Sequence, residues 1–342
     1  MKSKATTSTT MATTTTTTFF PKTTKHYNVR CISLPAARSH PTTLKLEQEL
    51  NKLESWEISS PPSSVSSSST NAEKILSALS GLGELYKCIG DLLALPLTQQ
   101  VLAQHRHESW VNQLLDGLLR YLDICGNTRD SILSIKESVR ELESAFRRSK
   151  CGELSIQGNV TAYISSRKKM VKNLASLLKA IKDCSSNNSP DHNSDQNHHH
   201  VNVLSSSVIR VLMIRSSLIT TSMLHSLLSY LSAVSPMSSS NTKWSLISKL
   251  FHKRVATIDS QFEENEFESV DIALSEVLLH QQSSKVDQLE EVDDNDDDEK
   301  IESANVKLEA LDCVIGGFEE ALESLFRRLI HARVSLLNII SH

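Results

Sequence analysis

The sequence predicts an all-α fold: an antiparallel multi-helix bundle of long, coiled-coil-like helices behind a disordered amino-terminal leader. Glycine is scarce, 9 in 342 residues, against a usual share of about 7%, which leaves little material for hairpins or phosphate-cradling loops. Aromatic residues make up 5% while Leu, Ser, Lys and Glu dominate, a composition of helices and linkers rather than sheets. Apolar residues also recur at alternating spacings of three and four over long stretches. With 39% hydrophobic residues the chain has enough apolar material for a sizeable core.

Residues 1–41 read as a leader followed by an extended basic, proline-containing segment. The first 46 residues hold seven Lys or Arg and no acid. The Thr-rich, acid-free start resembles a chloroplast or mitochondrial transit peptide in composition, but no Arg occurs before Arg30, so a low-complexity disordered leader is the preferred reading. Six cysteines lie far apart with no CxxC pair, and no apolar signal-peptide core precedes them, so an intracellular, cytoplasmic setting with reduced, mostly buried thiols is expected. Residues 42–58 form a short amphipathic helix through Leu46, Leu50 and Leu53, with Pro41 and Thr42 as start signals. Residues 59–72 are a Ser/Pro linker, and 73–342 are the bundle, with disordered loops expected at about 185–200, 236–242 and 284–300.

Within the bundle, Asn71 caps a helix that runs towards Pro96 and is interrupted by Gly81, Gly83 and Gly90. Val111, Leu114, Leu115, Leu118, Leu119 and Leu122 form a broad stripe over Glu108–Cys125, and Asn127 or Thr128 caps a following helix. That next seam runs Ile132, Ile135, Val139, Leu142, Phe146. A further seam follows from Ile156 through Val160, Tyr163, Met170, Leu174, Leu177 and Ile181, with Arg167 out of character; its stem snorkels, or the seam shifts to Ile164 and Val171.

Val201–Val234 is apolar on more than one face. Its uncharged stretch is interleaved with Ser, Thr and His225 and falls short of about 20 predominantly apolar residues, so a buried central helix is expected and no transmembrane segment. Trp244–Val255 reads as a basic amphipathic helix and Phe267–His280 as another. The clearest periodicity comes last: Ala304, Leu308, Leu311, Ile315, Phe318, Leu322, Leu325, Leu329, Ala332, Leu336 and Ile339 alternate by four and three without a miss. This predicts one long helix, weakened or bent at Gly316 and Gly317 and packed centrally against residues 127–182.

Chemistry is sparse. Net charge is −4 and pI about 6.4, which supplies no global basic field for nucleic acid. Nucleotide, dinucleotide, hydrolase and zincin motifs are all lacking, so neither catalysis nor a cofactor is expected. His105, His107 and the loop residues His192, His198, His199 and His200 have nothing to fix a metal geometry. The acidic run before Lys300 lacks the glycine and the terminal glutamate of a calcium loop.

Two interaction motifs remain. Arg327, Arg328, His331 and Arg333 crowd the end of the last helix, either as dipole compensation or as a basic face for a protein partner or a peripheral membrane contact. Arg30, Ser33 and Pro35 fit RxxSxP, a pattern suited to phosphorylation and docking to a 14-3-3 protein.

The blocks HYNVRCISLPAARSHPTTLKLEQELNKLESWE and LEALDCVIGGFEEALESLFRRLIHARVSLLNIISH, with LLDGLLRYLDICGNTRDSILSIKESVRELESAFRR and YISSRKKMVKNLASLLKAIK between them, resemble a plant family carrying domain of unknown function 241, related to the BYPASS-like proteins. The resemblance covers about residues 26–342. It implies a mostly helical plant protein associated with root and shoot development and lends no catalytic residues. The chain departs from it in the Gly316–Gly317 pair and in its Thr-rich leader. The reading taken forward is a helical interaction or regulatory protein, with a peripheral membrane adaptor and an enzyme with an unrecognised site as rivals.

Overall fold

Where the chain is described, its heptad seams become helices: the computed structural model covers residues 40–58, 71–149, 156–186, 200–233, 265–283 and 294–341, and among these described residues there are eight α-helices and no strand. They are α1 (Pro41–Ile58), α2 (Asn71–Leu93), α3 (Pro96–Gln104), α4 (Ser109–Ser149), α5 (Gln157–Ser186), α6 (His200–Ser232), α7 (Glu266–Ser283) and α8 (Asp294–Ser341). All belong to one unit, Pro35–His342.

The final seam organises the bundle. Ten of its eleven predicted residues, Ala304 to Leu336, are buried, and Ile339 packs partly buried against them. Its helix passes through Gly316 and Gly317 as one element. Gly317 has a reason to be there, because a Cβ would lie 3.1 Å from Leu76 of α2. The helix also starts earlier than the acidic run suggested. Its backbone is helical from Asp294, inside the stretch read as a loop, and acidic residues at a helix start favour the dipole.

The partners of α8 differ in part from expectation. It packs against α4, α2 and α7, whereas α5 lies principally against α4 and α6. Four pairings fix the α4–α8 register: Gly126 under the Phe326 ring, Arg129 with Glu323, Lys136 with Glu319, and Arg140 with Asp312. One number rises as the other falls, so the helices are antiparallel. On the other flank Leu76 meets Gly317, Gly83 meets Arg328 and Gly90 meets His331, so α2 runs parallel to α8.

Three sequence-based boundaries change. The glycines of α2 do not interrupt it: a Cβ on Gly81 would sit 2.7 Å from Leu53 Cδ2, so this glycine lets α1 approach closely. The break expected at Asn127 or Thr128 is absent, and α4 continues for 41 residues. Asn127 bonds back to the Asp123 carbonyl at 2.7 Å and Thr128 is fully buried; a capping residue does not end a helix whose two halves pack on the same long neighbour. The structure adds a short helix, α3, whose start signal is Pro96 in its first turn after the extended Leu95.

Helix α6 lies against α1, α2, α3, α4 and α5. Its hydroxyls join helices: Tyr86 and Thr220 share a bond of 3.1 Å, and Tyr121 reaches the Ser217 hydroxyl at 2.7 Å and Thr221 at 2.9 Å. By length and composition Ser206–Ser232 is able to cross a membrane, and half of its most apolar stretch is buried inside the protein.

Candidate functional site

The most chemically loaded place lies where α5, the end of α6 and the start of α7 meet. Arg167, the residue out of character in its seam, does not snorkel: its side chain is 0% exposed. A guanidinium tolerates such a site only if its donors are satisfied. Its Nη1 and Nη2 donate to the carbonyls of Leu231 and Ala233, each at 2.6 Å, and Nε donates to Asp271 Oδ2 at 3.4 Å. Its Cζ stands 4.4 Å from the Phe267 ring centroid. Arg167 therefore closes the carboxyl end of α6, where helix carbonyls lack partners and the dipole favours a cation.

The surrounding groups complete the corner. The Tyr163 hydroxyl donates to Asp271 Oδ1 at 3.2 Å. Burial pushes the Asp271 carboxyl up to about 6, against the opposing pull of Arg167 and Tyr163; burial also raises the Tyr163 and Tyr230 hydroxyls well above their usual range. Asn265 and Glu268 form a capping box, Asn265 Oδ1 accepting the Glu268 amide at 2.8 Å and Glu268 Oε2 accepting the Asn265 amide at 3.3 Å. Asn265 Nδ2 donates to the Tyr230 carbonyl at 3.2 Å, and the Tyr230 hydroxyl donates to Glu266. The sequence held a signal for this cap, Asn265 three residues before Glu268. Nothing in the sequence pointed to Asp271 as the partner of Arg167, since they stand 104 positions apart.

This corner is a staple rather than an open site. The α2, α3, α4, α6 and α8 interface encloses a cavity of about 30 Å³ beside Tyr86, Tyr121 and Ser217, room for about one water. The larger concavity, about 740 Å³, is an open groove along the outside of α4 from Leu133 through Lys136, Arg140 and Ser144 to Arg148.

The outer face of the α4–α8 pair divides in two. Along one half run the three cross-helix ion pairs, Arg140–Asp312, Lys136–Glu319 and Arg129–Glu323. Beyond Gly126 and Phe326 the same register carries Ile330 and Val334 opposite the turn Leu118–Leu122. There the pairs give way to apolar residues open to solvent: Leu119 is 43%, Ile330 41% and Val334 48% exposed. Such a patch, rimmed by charge, is the usual mark of an interaction surface.

The predicted residues fall on and around this patch unevenly. Arg327 is exposed and paired with Glu323 at 2.8 Å. Arg328 turns to α2, where it meets Glu84 at 3.3 Å, and the His331 ring rests on Gly90. Arg333 is half-buried, with Nε shielded from solvent. The four do not share one face; Arg327 and His331 are the exposed two, three residues before Ile330 and Val334 respectively and on the α2 side of them. Arg30, Ser33 and Pro35, with His192, His198 and His199, lie outside the described residues. His105 pairs with Glu108, which also accepts from Trp110 at 2.7 Å, and His107 accepts from Arg106 at 3.2 Å. Among the described residues no group of three or more His, Cys, Asp or Glu is placed to hold a metal ion. Cys88 and Cys125 are buried, the latter thiol pushed up to about 12 by burial, and Cys313 is exposed.

A family model described as Protein BPS1 matches residues 78–339. That span runs from within α2 almost to the end of α8, so it contains the corner and the outer face alike. No curated protein and no solved structure matches the chain.

Proposed function

The chain belongs to the plant family described as Protein BPS1, and from that premise and the geometry above we propose that it is a non-enzymatic, cytoplasmic helical interaction protein serving root and shoot development. The observation that carries this reading is the apolar patch of Leu119, Ile330 and Val334 beside the α4–α8 ion pairs. Three large apolar residues on two adjacent helices offer a seat for an amphipathic helix of a protein partner, whose acidic residues reach Arg327 and His331. The interior supports the same reading, because its strongest polar groups are engaged in joining helices. A 14-3-3 protein engaging phosphorylated Ser33, between Arg30 and Pro35, adds a second, regulated contact.

The test is affinity purification from plant tissue with the intact chain, Val334→Asp and Ser33→Ala as bait, with and without phosphatase. Val334 is 48% exposed, so its replacement leaves thermal melting within about 2 °C while the patch-bound partner is lost. A partner retained in full by Val334→Asp rejects the patch. Loss of a different, phosphatase-sensitive partner from Ser33→Ala supports the second contact. The rival, a peripheral membrane adaptor, is favoured by the same exposed apolar residues beside Arg327; it requires salt-sensitive binding to anionic vesicles, with Lys243–Arg254 contributing.

A further inference from the structure

A second apolar face is open to solvent, on α6, a helix that packs against five others. Val211, Ile214 and Leu218 stand at i, i+3 and i+7 and are 53%, 39% and 49% exposed. Helix α1 borders the stripe, because Arg215 reaches across to Glu54 at 2.7 Å and to Asn51 at 2.9 Å. We propose that this stripe is the docking site of the chain's own segment Trp244–Val255. This inference is independent of the α4–α8 reading.

The path of the chain selects that occupant. Residues 234–264 leave from the end of α6 and return to the start of α7, and those two ends are tied together by the Asn265–Tyr230 and Tyr230–Glu266 hydrogen bonds. The segment therefore starts and finishes at one place on the bundle. From Ala233 back along α6 to Leu218 is fifteen residues, about 22 Å at 1.5 Å each. Residues 234–243 span up to about 33 Å when extended, and 256–264 up to about 30 Å. The far end of the stripe, Val211, is twenty-two residues from Ala233, about 33 Å, so residues 234–243 reach it only when nearly extended. A 12-residue helix from there runs about 18 Å back towards the start of α7, well within the reach of 256–264.

Sequence and size agree with that path. Trp244, Ile247, Phe251 and Val255 follow one another at spacings of three, four and four, so as a helix they form one apolar face. Lys249 and Lys253 fall on the other side. The α6 stripe has the matching spacing of three and four, the geometry in which side chains of two helices interleave. Its area is also right for one short helix. Three partly exposed aliphatic side chains offer at most a few hundred Å², well short of the roughly 800 Å² per partner of a stable dimer.

Hydrogen exchange followed by mass spectrometry on the full chain at low micromolar concentration, without lipid, tests the proposal. The amides of 244–255 are expected to exchange at least ~10-fold more slowly than free-chain rates. Leu218→Asp, checked by thermal melting to keep the bundle, returns them to free-chain rates. Phe251→Asp, which alters the segment and not the bundle, does the same. Free-chain exchange in the unaltered protein overturns the proposal, as does protection that survives both substitutions. Protection that appears only at high protein concentration assigns the stripe to a second copy, and protection only with anionic vesicles assigns it to a membrane surface; either result also overturns it.

Discussion

Arg167–Asp271 and Arg140–Asp312 join the same two side-chain types through the same atoms at nearly equal separation, 3.4 and 3.3 Å from Nε to the carboxylate. The first pair is 0% and 5% exposed, the second 60% and 27%. Water screens and competes at Arg140, so its pair adds little and either partner is content alone. At Arg167 neither partner has that refuge. The buried pair also holds two carbonyls at the end of α6 and a tyrosine hydroxyl, so its removal leaves several orphans at once. Distance alone thus says nothing of what an ion pair contributes; the partners it would abandon decide it.

The largest effect follows from breaking the corner. Arg167→Met retains much of the stem's packing and leaves Asp271 and both carbonyls buried without the guanidinium. A loss of about 3–5 kcal/mol is expected in denaturant unfolding. A loss below about 1 kcal/mol would show that water enters the corner and that it resembles the surface pairs. A smaller effect is read through pH. Because burial holds the Asp271 carboxyl at about 6, above its unfolded value of about 3.9, the folded chain keeps a proton that the unfolded chain has released. The resulting stability is fully present below pH 4 and is lost as pH rises through 6. Asp271→Asn removes that dependence. Between pH 5 and 7 the unaltered chain should therefore lose about 1 kcal/mol relative to the variant, and parallel stability profiles would rule out a raised carboxyl.

The same contrast explains what was legible in the sequence. The α8 seam was readable residue by residue, because periodicity reports a buried face wherever one helix meets its neighbours. Leu46, Leu50 and Leu53 of α1 were readable for the same reason. Arg167 was visible as an anomaly, but its meaning depends on Asp271 and on the end of α6, which only the tertiary arrangement brings near. Local signals misled where packing overruled them: Asn127 looked like a cap, and Gly81 looked like an interruption where it is a place for Leu53 to fit. The basic cluster shows the limit from the other side. Sequence placed Arg327, Arg328, His331 and Arg333 within seven positions, yet helical geometry sends Arg328 to α2 and half-buries Arg333. The apolar patch near them was hidden because Ile330 and Val334 come onto one face with Leu119 only through the antiparallel α4–α8 register, across more than two hundred positions of chain.

The smallest effect concerns the outer pairs, and it tests whether they act singly or as a set. Arg140→Ala removes one rung; taken alone, an exposed pair of this kind changes stability by no more than about 0.5 kcal/mol. Lys136–Glu319 is less exposed, at 16% and 29%, and Lys136 holds the Glu319 carboxyl below its ordinary range through their hydrogen bond, with Arg129 and Arg140 also contributing. Arg140 therefore acts on Glu319 as well as on Asp312, and screening by salt should weaken both actions together. If the rungs are independent, unfolding of Arg140→Ala and of the unaltered chain converges in 1 M salt, where charges act only over about 3 Å. A loss above about 1.5 kcal/mol that persists in high salt would instead make the outer pairs a cooperative network, closer in kind to the buried corner than their exposure implies.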